Sequence, residues 1–194
     1  INRQQLVENI VYQASSIATN MIPPLLKQHR DRSFFKDNDV DQAKILLEEA
    51  MAELGITKEA FEPVTLYYQS FSSVTSKVMQ AIQQQWLDAL GIFIKIESLD
   101  YRIIVDKLTS GDYFMCYTLW SAMYHDPMSI LERFKYRTYA KNFTNWENAE
   151  YIQLLDPAMS GLGVDTGAAL EELFTANGAI GGGKEQGSLF TQLG

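Results

Sequence analysis

Between Pro63 and Trp120 the hydrophobic period of the chain switches back and forth between that of a strand and that of a helix. "PVTLYY" is β-prone, and "SSVTSKVMQAIQQQWLDALG" follows with Val74, Val78, Ala81, Ile82 and Leu90 on one helical side. "IFIKIESL" then alternates Ile92, Ile94 and Ile96, "DYRIIVDKLTSG" is a helix capped by Asp100, and "YFMCYTLW" is an unbroken apolar strand. Strands joined by helical crossovers must run parallel, and a parallel sheet needs helices over its faces. The alternation therefore predicts an α/β fold with a largely parallel β-α-β-α-β sheet. The apolar run of the last strand predicts burial on both sides. Ligands of such sheets collect beyond the carboxyl ends of the strands, which directs attention to the corner after Trp120.

Upstream of this block, "INRQQLVENIVYQ" sets Leu6, Val7, Ile10 and Val11 on one face behind Asn2 as N-cap. A loop with Pro23-Pro24 and no period follows. "DVDQAKILLEEAMAELG" repeats apolar residues at Val40, Ala43, Leu46, Leu47, Ala50, Met51 and Leu54, with Asp39 or Asp41 as cap and Gly55 as stop. Downstream, two short helices are expected, one started by Asp126 with Pro127 and one by Asn145. Past Asp156 the composition shifts, because residues 157–194 hold nine of the twelve glycines and only one of the sixteen Lys/Arg residues. Residues 1–155 read as the folded domain and 156–194 as a glycine-rich flexible or foreign tail.

Charge and reactive groups narrow the function. A net charge of −8 without a Lys/Arg run opposes nucleic acid or an anionic membrane surface as partner, since both need clustered positive charge. Cys116 is the only cysteine, so it forms no internal disulfide, and its apolar setting makes it a buried inert thiol. No stretch reaches the ~18 apolar residues of a membrane span, and the start lacks a basic segment before an apolar one. The abrupt opening inside a helix is read as the mark of a processed or excised chain. "GAIGGGKE" mimics the spacing of a phosphate loop, but Glu185 stands where a hydroxyl would hold Mg²⁺ and no strand precedes Gly178. His29 and His125 have no ligand partner at metal-site spacing, so no metal or other cofactor is expected. Asn142 begins an "NFT" glycosylation match. No nucleophile stands beside a base, which speaks against an enzyme. Tyr117, Trp120, Tyr124 and Tyr136 gather around the corner, and such amphipathic aromatics either line a cleft or cap the core.

The succession "INRQQLVENIV", "MIPP", "DVDQAKILLEEA", "VTLYYQS", "AIQQQWLDALGIFIKIESLDYRIIVDKLTSGDY", "LWSAMYHDPMSIL" and "NFTNWENAEYIQLL" resembles the C-terminal lobe of the periplasmic solute-binding proteins of peptide and nickel ABC importers, over residues 1–155. The resemblance implies a receptor for an oligopeptide or a related apolar ligand. It also implies an N-terminal lobe not present in this chain, an inner-membrane ABC permease as partner, and a periplasmic location with a lipid anchor on a segment absent here. The ligand-facing set it implies is Tyr117, Trp120, Ser121, Met123, Tyr124 and Asp126. In the family the position of Met123 carries an acid for the peptide's α-amino group, and those of Tyr117 and Leu108 carry arginines for the far carboxylate. The second acid of the family's "GDYD" turn is replaced by Phe114. These departures predict an atypical receptor without the usual charged clamps for free peptide ends. Asp126 is either a substitute acid or the N-cap before Pro127. A non-transport reading, an antigen-type fragment or folded carrier for the tail, is the alternative from another class.

Overall fold

The computed structural model describes residues 1–12, 16–22 and 36–159. It divides into two compact units. The first takes in residues 1–12, 16–19, 36–108 and 112–118, and the second residues 20–22, 109–111 and 119–159. The phosphate-loop match, His29 and the tail from residue 160 onward lie outside the described residues.

In the first unit three strands, β1 (Thr65–Tyr68), β2 (Lys95–Ser98) and β3 (Met115–Tyr117), form a parallel sheet in the order β2-β1-β3. Leu66 stands opposite Ile96 on one side and Met115 on the other, while Tyr68 faces Ser98 and Tyr117. The helices of this unit are α1 (Arg3–Leu6), continued by a π-turn over Val7–Val11, then α2 (Val40–Leu54), α3 (Ser73–Leu90) and α4 (Tyr101–Ser110). The crossovers β1-α3-β2 and β2-α4-β3 are the ones the alternating period predicts, and the fold class stands as expected.

Local chemistry sets the ends of these helices. Asn2 Oδ1 accepts the Gln5 N–H, Asp39 Oδ1 accepts that of Gln42, and Ser72 Oγ that of Thr75. At their C-termini, α2 and α3 stop on Gly55 and Gly91, at φ of 64° and 68°, where a side chain would be strained. Gln83 Nε2 donates to the Ile94 carbonyl at 2.6 Å, fastening α3 to the segment that enters β2. The side chains of Met79 and Ile94 are almost wholly enclosed, as are those of Ile104, Leu108 and Cys116.

Three expectations need correction here. β3 is three residues long rather than eight, and it lies at an edge of the described sheet, so only Cys116 is buried while Phe114 is 71% exposed. An edge strand has one neighbour, and an apolar run does not by itself create a second. α2 packs against α3, and along its apolar stripe only Met51 is buried while Leu54 is 71% exposed. The opening helix buries Leu6 alone of its four apolar residues.

The second unit contains α5 (Met128–Leu131), a 3₁₀ turn (Glu132–Phe134) and α6 (Ala149–Met159). Its core is Leu131, Phe134, Trp146, Tyr151 and Leu155, with Met21, Ile22, Met128 and Leu154 packed against it. Trp146 and Tyr151 meet edge to face with centroids 4.9 Å apart, and Tyr151 Oη donates to the Leu131 carbonyl at 2.8 Å. α6 starts at Asn148, whose Oδ1 accepts the Tyr151 N–H, and not at Asn145, which adopts a left-handed φ of 55° and cannot lead a helix. The helix continues through Pro157 to Met159.

Candidate functional site

The strand order β2-β1-β3 places the switch point, where the connections reverse their sense along the parallel sheet, between β1 and β3. In open parallel sheets that is where ligands bind, beyond the carboxyl ends. Tyr117 closes β3 opposite Tyr68, belongs to the first unit, and has its phenol pushed up by burial. Cys116 beside it is buried and its thiol is raised to about 11 by desolvation, so it stays protonated and unreactive near neutrality.

Trp120, Ser121, Met123, Tyr124 and Asp126 belong to the second unit and form one irregular turn before α5. The turn is shaped by Ser129, which is buried: its Oγ accepts the N–H of Met123 at 2.6 Å and that of Tyr124 at 3.4 Å. The N–H groups of Met123 and Tyr124 are thus bonded inward, while side chains of the turn are exposed. Met123 is 81% exposed, Tyr124 47% and Trp120 39%, with Leu119 also exposed. Asp126 Oδ1 accepts the Met128 N–H at 2.8 Å, the capping role weighed for it in the sequence. Tyr124 Oη donates to Glu132 Oε1 at 2.9 Å, and its phenol is raised by desolvation and by that bond. Leu108, at a position where the resemblance puts an arginine, is a buried core residue. Tyr136 finds its ring partner in Tyr139, at 5.2 Å and edge to face.

Sequence reasoning passed over Arg133. It is only 6% exposed, and its guanidinium lies 4.1 Å from the centroid of the Trp120 ring. Phe134 and Phe143 flank it at 5.0 and 5.9 Å, and Nε and Nη2 both donate to the Lys141 carbonyl at 3.3 and 2.9 Å. The available signal was a lone arginine inside "ILERF", where a helix period would have put an apolar residue next to Phe134.

Two motif readings resolve here. Asn142 is buried and its Nδ2 donates to the carbonyls of Tyr136 and Trp146, at 3.0 and 2.7 Å, so the amide serves the fold rather than a glycan. Among the described residues no group of three or more His, Cys, Asp or Glu is placed to hold a metal ion, and no helix is long and apolar enough to cross a membrane.

Comparison with known proteins agrees with this architecture. The oligopeptide-binding protein OppA of Bacillus subtilis is 31% identical over 162 residues, covering 82% of this chain and 30% of that protein. The probable deoxycholate-binding periplasmic protein YgiS of Escherichia coli is 26% identical, covering 80% of this chain and 29% of its own. Among solved structures, a periplasmic oligopeptide-binding protein of Borrelia burgdorferi superposes with a TM-score of 0.68 at 26% identity, over 91% of this chain and 34% of that one. The chain thus spans about 30% of the length of the curated relatives it matches. Residues 1–142 match the description "Bacterial extracellular solute-binding proteins, family 5 Middle". The chain belongs to the family 5 bacterial extracellular solute-binding proteins.

Proposed function

We propose that this chain supplies one ligand-facing lobe of the substrate-binding component of an ABC importer for peptides or a related apolar ligand. It works outside the cytoplasmic membrane with an N-terminal lobe and an inner-membrane permease. The observation that carries this reading is the turn from Leu119 to Asp126, which follows a parallel strand and presents an indole, a thioether and a phenol to solvent from a backbone held inward by Ser129. In this reading the turn binds by area and dispersion.

The clamp for a free peptide end is atypical in this reading. Met123 offers no charge, and the carboxylate of Asp126 is engaged in capping α5. Main-chain contacts and permissive apolar pockets then carry affinity, as in other modes that recognise extended peptides. A single lobe offers half of a closing cleft, so the isolated chain binds peptides more weakly than the micromolar range. Sub-micromolar calorimetric binding of a mixed peptide pool to this chain would contradict that.

The decisive substitution is Met123→Asp in the two-lobed protein. A carboxylate at the rim of a half-desolvated cleft attracts an ammonium where a thioether offers only dispersion, so affinity for peptides with free N-termini rises about tenfold or more. N-acetylated peptides gain nothing. Equal affinities of both proteins for both peptide forms, with the fold intact, would show that Met123 does not face the ligand.

A further inference from the structure

We propose that Met123 is an oxidation site, and that its sulfoxide turns the preference of this corner from apolar groups of a ligand towards ammonium groups. The modification follows from exposure, while its effect on ligands rests on the reading above, that the turn faces ligand. The step transfers one oxygen atom: the Met123 sulfur attacks hydrogen peroxide, the O–O bond breaks, an S–O bond forms and the remainder leaves as water. The sulfur loses the electron pair that the peroxide gains.

Exposure singles out this sulfur. Met123 is 81% exposed, whereas Met51 and Met79 are buried, Met21 and Met128 pack against the core of the second unit, and Met115 is partly buried in β3. The chain's single thiol is no rival, because Cys116 is buried. Oxidation also spares the bond that holds the turn, from the Met123 N–H to Ser129 Oγ at 2.6 Å, because that bond belongs to the backbone.

What changes is the surface offered outward. A thioether is a soft contact that works by dispersion and hardly hydrogen-bonds, whereas a sulfoxide is polar and its oxygen is a strong acceptor. The N–H groups of Met123 and Tyr124 are already bonded to Ser129 Oγ, and the Tyr124 hydroxyl is bonded to Glu132. None of these three donors competes for the new oxygen, which stays open to a donor on the ligand. An ammonium makes a charge-assisted bond there, while an apolar group must strip water from the S–O dipole and receives nothing in return. The carboxylates of Asp126 and Glu132 act on an ammonium in both forms of the protein, so their pull cancels in the comparison.

The test uses the 194-residue chain with isotope-labelled methionine methyl groups, whose NMR signals report oxidation and ligand contact at the same side chain. Dilute hydrogen peroxide is the oxidant, Met123→Leu assigns the Met123 signal, and Ala-Phe-Ala and its N-acetylated form, titrated to millimolar concentration, are the ligand probes. The Met123 methyl converts to sulfoxide about tenfold or more faster than those of Met51 and Met79, and the mass of the proteolytic fragment carrying Met123 reads the same conversion without a variant. Both peptides move the Met123 signal of the untreated chain, and oxidation shifts the ratio of their affinities about three- to tenfold towards the free ammonium. The same treatment leaves the ratio of Met123→Leu where it was. Conversion of Met123 no faster than that of Met51 or Met79 overturns the oxidation site, a result that needs no ligand. An unchanged ratio with Met123 fully oxidised overturns the switch, as does a shift that persists in Met123→Leu. If Met123 oxidises selectively and neither peptide moves its signal in either form, the ligand-facing reading of the turn has failed and takes the switch with it.

Discussion

The two units bury different kinds of side chain. In the sheet unit the enclosed residues are apolar: Leu6, Met51, Tyr68, Met79, Ile92, Ile94, Ile104, Leu108 and Cys116. In the second unit Leu131, Phe134, Trp146, Tyr151 and Leu155 share the interior with Ser129, Arg133, Lys135, Asn142 and Thr144, which are all the buried polar residues among those described. The reason is backbone accounting. Parallel ladders and long helices satisfy most of their own N–H and C=O groups, so the sheet unit asks mainly apolar surface of its enclosed side chains, with Gln83 at the Ile94 carbonyl a polar addition. The second unit has short helices joined by the irregular stretch from Lys135 to Asn148, where side chains reach the carbonyls of Lys141, Tyr136 and Trp146. Buried polar groups that are fully satisfied specify one arrangement, and each is expensive to lose.

This contrast predicts two ways of failing. The largest effect is expected from Ile94→Ala. The side chain is fully enclosed, and its loss leaves a cavity costing about 3 kcal/mol, which should raise amide exchange in peptides spanning β1, β2 and β3. Peptides from residues 131–155 should be spared. An equal rise in both sets would mean that the units open together and that the contrast in their interiors does not separate them energetically.

Asn142→Ala should come next, at about 2 kcal/mol, because it strips a donor from the buried Trp146 carbonyl and from that of Tyr136, and an acceptor from the Thr144 hydroxyl, bonded at 2.8 Å. Faster exchange should now appear around Trp146 and Tyr151 with the sheet unchanged. Asn142→Asp, similar in shape but unable to donate, should behave like the alanine variant. If aspartate were tolerated, the hydrogen bonds would matter less than the filled volume.

The smallest effect lies at another side chain of the sheet unit that bonds backbone. Asp37 accepts the N–H groups of Arg3 and Gln4 and pairs with the Arg3 guanidinium at 3.2 Å, doing for α1 what side chains do throughout the second unit. Desolvation pushes its carboxyl up, but these hydrogen bonds and the charge of Arg3 outweigh it and hold the group below the ordinary carboxylate range. A folded-state value depressed below the unfolded one contributes stability that is fully present above the unfolded value, near pH 4, and is lost as pH falls through the folded value. Urea midpoints measured from pH 6 to pH 2 should thus fall less steeply for Asp37→Asn than for the native chain at the acid end. Parallel curves would remove Asp37 from the acid sensitivity of the fold.

Legibility in the sequence follows the same division. The caps at Asn2 and Asp39 and the stop at Gly55 were readable because each concerns a residue and its neighbours within one turn. The parallel β-α-β-α-β order was readable because hydrophobic period reports element type. Asn145 was mistaken for the start of α6, because an asparagine can cap a helix or turn left-handed and only its surroundings select between the two. The corner was legible as aromatic and poor in charge, and Met123 and Trp120 are indeed exposed, yet the cation behind the indole was not seen.

By itself, then, the amino-acid order determined which segments became helix or strand and that the strands run parallel. Only the tertiary structure decided which apolar stripes would be covered and which buried polar groups would hold the second unit together. Arg133 reaches Lys141 across eight residues, Asn142 reaches Tyr136 across six and Tyr151 reaches Leu131 across twenty. Those separations obey no period, because which carbonyl a side chain can reach is set by where the folded backbone brings it.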